Sequence, residues 1–485
     1  MRATAELIVR RLRDAGHTAY FAGGCVRDMV RGVEPHDFDV ATSATPDQVR
    51  QLFAHTIPVG AAFGVVLVVE GDRQFEVATF RNDEAYLDGR RPTAVRYGTA
   101  EEDAQRRDFT VNGLFYDPLA AEAQRGARGA SALPADPGRA GAPRPPSGVI
   151  DFIAGMADIE RRVIRCIGEP RHRFTEDKLR LLRAVRFAAN LGFTIEPATF
   201  AVVQEMAKEI HIVSAERIRD ELIKILTRPH AGRGLELLDA SGLLQEVLPE
   251  IAAMKGVEQP PAFHPEGDVF THTKLMLEML SSREGEAPAE PAGAATARRE
   301  ARPPGLVLAF AVLLHDVGKP PTFVRAPDRI RFNEHDRVGA EMAEKILRRL
   351  RFSNEQIDQI TLCVAEHMKF QFVQEMRPAK LKRILGRPTF PTELELHRVD
   401  CLSSHRNLGN YDFLMRKLAE LPPDVIKPAP LLTGHDLLAL GIKPGPLVGL
   451  LLREVAEAQL DDRLQSRADA LAYVQQRRAE LPQTD

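Results

Sequence analysis

Apolar residues are spaced in two different ways along this chain, and the change falls near residue 155. Between residues 20 and 118 they come in short runs, such as Val65-Val66-Leu67-Val68-Val69, Phe75 to Phe80, and Leu114-Phe115-Tyr116. These runs are rich in β-branched and aromatic side chains and are bounded by Gly or Asp-Pro, which is the pattern of strands. In this half, residues 1–15 and 46–54 carry the three-and-four spacing of helices. From about 155 onward that spacing dominates. It predicts helices over 175–190, 198–209, 215–227, 232–239, 268–280, 306–314, 338–350, 354–367, 378–386, 447–459 and 464–478. The expected fold class is α+β. A head with a small mixed or antiparallel β-sheet and flanking helices precedes regions that are all α.

Two segments break both patterns. Residues 120–148 hold 9 Ala, 5 Gly and 5 Pro in 29 positions, and residues 281–304 hold 7 Ala, 4 Pro and 2 Gly in 24. Neither can bury enough apolar surface to offset the entropy of ordering, so both read as flexible insertions. The expected organisation is a head over 1–154, a helical neck and body over 155–262, a third region over 263–410 and a helical tail over 411–485. Composition narrows the classes. The chain has 485 residues and a net charge of −3, with 44% hydrophobic and 27% charged residues, an ordinary globular mixture. No run approaches the length of a membrane helix, and Met1 to Glu6 has no apolar signal core. Cys25, Cys166, Cys363 and Cys401 are scattered, with no C-x-x-C pair. The expectation is a cytoplasmic protein without a membrane partner or a disulfide scaffold.

Four stretches carry candidate chemistry. In Phe21-Ala22-Gly23-Gly24-Cys25-Val26-Arg27-Asp28 a strand enters a Gly-Gly turn ahead of a helix. Glycines let backbone N–H groups approach a phosphate, and Arg27 adds positive charge. His36-Asp37-Phe38-Asp39 follows; two apart in a strand, Asp37 and Asp39 face one side, as a Mg²⁺ site with shared phosphate ligands requires. Arg106-Arg107-Asp108-Phe109-Thr110-Val111-Asn112 combines two guanidinium groups, a carboxylate and an amide, suited to phosphate and ribose. Glu176-Asp177-Lys178-Leu179-Arg180, with Arg183 and Arg186 beyond, is expected on one helix, with Asp177, Arg180 and Arg183 fanned across a face. A fixed Asp accepts from an exocyclic amino group, which both cytosine and adenine carry. Singly, each stretch is an ordinary turn or wet helix face.

Together and in this order, they resemble bacterial class II tRNA nucleotidyltransferases and poly(A) polymerases. Thr79-Phe80-Arg81-Asn82-Asp83 through Asp88-Gly89-Arg90-Arg91-Pro92 looks like that family's flexible loop, and Ser214 to Leu222 like its following helical motif. The resemblance covers roughly residues 18–227. One departure is Gly113, where many members have Ala. The resemblance implies that Asp37 and Asp39 hold catalytic Mg²⁺. It also implies that Gly24, Arg27, Arg107, Asp108 and Asn112 bind triphosphate and ribose, and that Asp177 and Arg180 read the base edge. Arg183 and Arg186 would be further nucleotide contacts. Glu76 is a candidate third carboxylate, although a structural role is the expected one.

A second constellation lies downstream. His315-Asp316-Val317-Gly318-Lys319 ends an apolar helix, with His272, His335, His367 and Asp400 at separations of 43, 20, 32 and 33 residues. Such spacing fits no zinc finger, so a metal site would be assembled from separate helices. Imidazole and carboxylate ligands suit Mn²⁺, Fe²⁺, Ni²⁺ or Mg²⁺. The stretch resembles the HD phosphohydrolase superfamily, a companion of the first family. Gly434-His435-Asp436 and Gly441 to Pro446 look like the tail of HD-containing members.

These resemblances imply an enzyme that adds CCA to the tRNA 3′ end from CTP and ATP, releasing pyrophosphate. They leave open a poly(A) polymerase, an enzyme adding only CC or only A, and an HD phosphohydrolase activity. Oligomeric state is not fixed by the sequence. The near-neutral total also conceals a basic stretch: residues 160–186 hold nine basic and four acidic side chains. The expectation is a basic neck that binds tRNA in a salt-sensitive way.

Overall fold

A computed structural model describes residues 1–60, 64–83, 95–120, 147–280 and 305–480. Most of the two Ala-rich segments and the expected loop at Asp88–Pro92 lie outside these residues. The chain's contacts divide it into two compact units, Met1–Pro249 and Glu250–Asp485, a coarser division than the four regions expected.

In the first unit, strands β1 (Ala19–Ala22), β2 (Val40–Thr42), β3 (Thr56–Gly60), β4 (Val65–Glu70), β5 (Arg73–Thr79), β8 (Phe115–Tyr116) and β9 (Val149–Ile150) form one sheet in the order β3-β4-β5-β2-β1-β8-β9. Strands β6 (Arg81–Asp83) and β7 (Val95–Tyr97) pair separately. The sheet is mixed, because β2 runs parallel to β5 and the other pairs are antiparallel. Alternation turns Phe21, Phe75, Val77 and Phe115 into the core. The helix Arg2–Asp14 buries Ala5, Ile8, Val9 and Leu12, the stripe its spacing predicts. Since β1 and β2 are antiparallel, the end of β1 and the start of β2 meet at one edge of the sheet. The start of β8 arrives there too, with Phe115 opposite Ala22.

The helical half of this unit follows the predicted spacing with one break. The helix expected over 175–190 is two helices, Pro170–Glu176 and Leu179–Leu191. Asp177 lies between them in an extended conformation, φ −147° and ψ 106°. Its carboxylate accepts the Leu179 N–H at 3.0 Å, and its carbonyl the Arg180 N–H. An Asp that caps a helix competes with continuing one.

The second unit is almost wholly helical. Helices Val269–Met279, Leu306–Leu314, His335–Arg349, Asn354–Glu366 and Phe390–Ser403 build its first part, and Pro446–Leu460 and Arg467–Glu480 lie in its tail. Phe390–Ser403 and Gly409–Glu420 are absent from the sequence expectation. The first buries Glu393 and Arg398 among its apolar residues, which blurs the apolar stripe. Gly318 sits against Gly339 and the start of the His335 helix. A Cβ on Gly318 would meet the His335 carbonyl oxygen at 2.1 Å and the Gly339 backbone nitrogen at 2.6 Å. Gly318→Ala is therefore expected to destabilise this unit by about 1–3 kcal/mol. Gly434→Ala, which enters open space, should leave stability unchanged; urea melts of the two variants make the comparison.

Candidate nucleotide and metal sites

The first site is a cleft of about 560 Å³ at the sheet edge where β1, β2 and β8 meet. Gly23 turns the chain with φ +74°, and its N–H donates to the Leu114 carbonyl at 3.0 Å. A Cβ there would stand 2.8 Å from Arg107 Nη1, so glycine is required both by conformation and by space. Asp37 and Asp39 immediately precede β2. Phe38 between them is buried against Phe21, with ring centroids 5.2 Å apart, which leaves both carboxylates to line the cleft. Val40 pairs with Val77, so Asp39 lies level with Glu76, and Glu76 lines the cleft as well. Burial first, then the charges of Glu76 and Asp37, raise Asp39 to about 7. Three hard oxygen donors sharing that much uncompensated negative charge fit a divalent cation.

The arginines arrive already oriented. Buried Asp103 accepts from Arg106 and Arg107, and Arg107 Nη1 also donates to the Asn112 carbonyl at 3.1 Å. Arg27 Nη1 donates to Asn112 Oδ1 at 2.7 Å. Asn112 Nδ2 donates to Asp108 Oδ1 at 3.1 Å, and Arg183 Nε to Asp108 Oδ2 at 2.7 Å. Asp108 is held well below the ordinary range: burial opposes this, but Arg183 and Asn112 outweigh it. Arg180 is buried, with Nη1 on the Arg173 carbonyl and on Glu176.

Gly24, Arg27, Asp37, Asp39, Arg107, Asp108, Asn112, Asp177, Arg180 and Arg183 thus line one cleft. Arg186 does not line it. Its guanidinium is 2.6 Å from buried Glu221. The basic neck is also less basic than its count. Of its nine cations, Arg165, Arg171, Arg173, Lys178, Arg180, Arg183 and Arg186 have carboxylate partners. Sequence reasoning missed Arg217, which donates to Asp177 Oδ2 at 2.7 Å. It also missed Asp103 and Phe187. Arg217 lies within the helical motif noted above, but its partner is 40 residues away.

The second site lies in the other unit beside a cavity of about 430 Å³ lined by His315, Asp316, His335, His367 and Asp400. His315, His335 and His367 each place Nδ1 within 2.8 Å of a backbone carbonyl oxygen, those of Val312, Phe332 and Val364. A carbonyl only accepts, so each Nδ1 carries a proton, and in the neutral imidazole Nε2 presents a lone pair. His335 Nε2 and His367 Nε2 are 3.2 Å apart. Two lone pairs at that distance repel unless a cation lies between them or a proton is added. Burial, then His315 and His335, push His367 down to about 4, which disfavours the proton. His315 Nε2 and the Asp316 carboxylate are buried together, 3.1 Å apart, and Lys319 Nζ lies 2.7 Å from the same carboxylate oxygen. His272, His315 and Asp400 form one group of converging ligand atoms, and Asp316, His335 and His367 another. All six predicted residues therefore come together, and the donor set fits a divalent metal. Sequence reasoning missed Glu266, whose Oε1 accepts from His264 and from His272 Nδ1 at 2.6 Å. Such a carboxylate fixes a ligand histidine's tautomer.

Comparisons with known proteins agree with this geometry. Residues 19–165 match the poly(A) polymerase head domain, residues 192–255 the probable RNA and SrmB-binding site of polymerase A, and residues 269–397 the HD domain. The chain is 33% identical to the A-adding tRNA nucleotidyltransferase of Deinococcus radiodurans, over 96% of each chain. It is 39% identical to the CCA-adding enzyme of Streptococcus suis, over 50% of this chain and 54% of that one. It thus spans about half the length of that relative. The crystal structure of the Bacillus stearothermophilus CCA-adding enzyme in complex with CTP superposes with a TM-score of 0.67 at 24% identity, over 98% of this chain and 97% of that one. At that identity the match establishes a shared fold. Among the described residues, no helix is long and apolar enough to cross a membrane.

Asp39 holds a proton below pH 7, and a cation must displace it. With His315, His335 and His367 replaced by alanine, which takes ligands from both groups of the second site, divalent affinity should fall about tenfold per pH unit below 7 and level off above it. Calorimetric titration with Mn²⁺ measures this, and an affinity flat from about pH 5.5 to 7 would separate Asp39 from the cation.

Proposed function

The chain belongs to the tRNA nucleotidyltransferase family, and we propose that it completes the 3′-CCA end of tRNA from CTP and ATP. One observation carries this reading: a glycine turn, three carboxylates, oriented arginines and the Asp177–Arg180 pair share a single cleft. In the proposed reaction the terminal tRNA hydroxyl oxygen bonds to the α-phosphorus, the α–β bridging bond breaks, and pyrophosphate leaves. Mg²⁺ held by Asp37 and Asp39, with Glu76 beside them, would lower the hydroxyl pKa and neutralise charge at the α-phosphate. Gly23 and Gly24 admit the triphosphate close to backbone, and Arg27 and Arg107 offset its charge from fixed positions. Asp177 keeps acceptor capacity beyond the Leu179 and Arg217 bonds, since a carboxylate has about four lone-pair sites. It would accept from the amino group of cytosine or adenine, with Arg180 donating to a ring acceptor. All four cysteines are unpaired and buried, which supports a reducing, cytoplasmic setting.

A second reading, addition of the terminal A alone, draws support from full-length similarity to the Deinococcus enzyme. Transcripts ending before CCA, after C and after CC, each with CTP and ATP separately, divide the cases. Full CCA addition extends all three. The A-only reading extends the CC-ended transcript with ATP alone, and a polymerase yields a long ATP ladder. Asp37→Ala should abolish incorporation; retained incorporation would refute the assignment.

The six converging ligands of the second unit support a further phosphohydrolase activity there. Opening of 2′,3′-cyclic phosphate ends to phosphomonoesters, and phosphate release from 2′-phosphate ends, are then expected to disappear in His315→Ala while nucleotide addition persists. Equal loss of both would tie His315 to folding instead.

A further inference from the structure

We infer that Phe187 is a positioning residue for nucleotide binding, a shared aromatic surface that sets the spacing of Arg27 and Arg183; this rests on the proposed nucleotide cleft. Three guanidinium groups converge on its ring. Arg186 lies 4.0 Å from the centroid, Arg183 5.3 Å and Arg27 5.7 Å. The ring lines the cleft with Arg27 and Arg183. Behind it, Phe109 packs edge-on at 5.8 Å and is fully buried, so the platform cannot retreat.

Three like charges around one ring repel each other. Carboxylates compensate each cation separately: Asp28 pairs with Arg27, Asp108 with Arg183 and Glu221 with Arg186. Those pairs balance charge without fixing how far the cations stand from one another. Distance is fixed by a closed circuit. Arg27 donates to Asn112, Asn112 to Asp108, and Arg183 to Asp108. The ring of Phe187 then spans from Arg183 back to Arg27. A guanidinium over the ring face gains a modest attraction, larger where water is excluded.

The circuit joins parts of the chain that are distant in sequence. Arg27 follows the glycine turn, whereas Arg183 and Phe187 ride on the same helix as Arg180. Phe187 therefore links the phosphate end of the cleft to the base-reading end. A nucleotide binds more tightly when Arg27 and Arg183 already stand at a set separation, because ordering them on binding would cost affinity.

Steady-state kinetics test this. Phe187→Leu removes the π-face. It should raise KM for both CTP and ATP about tenfold with kcat within about twofold, and Phe187→Tyr should restore wild-type KM. Singly to triply fluorinated phenylalanine at position 187 keeps the shape while draining the ring's negative face. KM should climb stepwise along that series, which holds even if the leucine variant folds poorly. An unchanged KM across the fluorinated series, or an equal loss in Phe187→Tyr and Phe187→Leu, overturns the inference. A wild-type chain that incorporates neither nucleotide overturns the reading of the cleft instead.

Discussion

The buried carboxylate of Asp108 is the tie on which the first site depends. It is 7% exposed and bonds on one side to Arg183 of the long helix and on the other to Asn112 of the turn before β8. A buried pair broken by removing one partner costs about 3–5 kcal/mol, because the survivor keeps an uncompensated charge. Asp108 thereby couples the sheet edge carrying Asp37 and Asp39 to the helix carrying Arg180. Thr110 and Arg165 repeat the coupling a short distance away, since both donate to buried Asp158. The sheet, turn and helix of the first unit form one cleft because polar groups that cannot reach water must find each other.

The two sites surround their carboxylates with different partners. The first cleft is lined by several arginines, among them Arg27, Arg107, Arg180 and Arg183, each with a carboxylate partner. The second site gathers imidazoles and carboxylates, with His272 held between Glu266 and Asp400. Asp316 is held well below the ordinary range, since His315 and Lys319 outweigh its burial. His272 is raised to about 9; burial opposes this, but Asp400 and Glu266 prevail. Both sites gather carboxylates; the first sets arginines beside them, and the second sets histidines.

Much of this was legible from residue types and order. Asp37 and Asp39 were readable because alternation through Phe38 depends only on local backbone period. The six converging His and Asp residues of the second unit were readable as a set, because His-Asp at the end of an apolar helix is uncommon. Glu76 was undervalued because its neighbour across the sheet depends on the β2–β5 register, which no local pattern encodes. Arg217, Asp103 and Glu266 were missed for a similar reason. Each acts by contacting another functional side chain, and such contacts follow from packing. The break at Asp177 was hidden because Leu179, Leu182 and Val185 keep a helical rhythm right up to it. The basic neck misled because charge along a sequence does not show which cations already have partners.

The three inward-facing histidines share one device. Each Nδ1 meets the carbonyl of the residue three positions earlier in its own chain segment. Their protonation pattern is written in main chain, which point mutation leaves in place. Substitution of a neighbouring side chain leaves these Nδ1 contacts in place. A lineage that abandons this chemistry must therefore lose a ligand outright, and the silenced descendants would be recognisable by a missing histidine or aspartate in an otherwise intact helical frame.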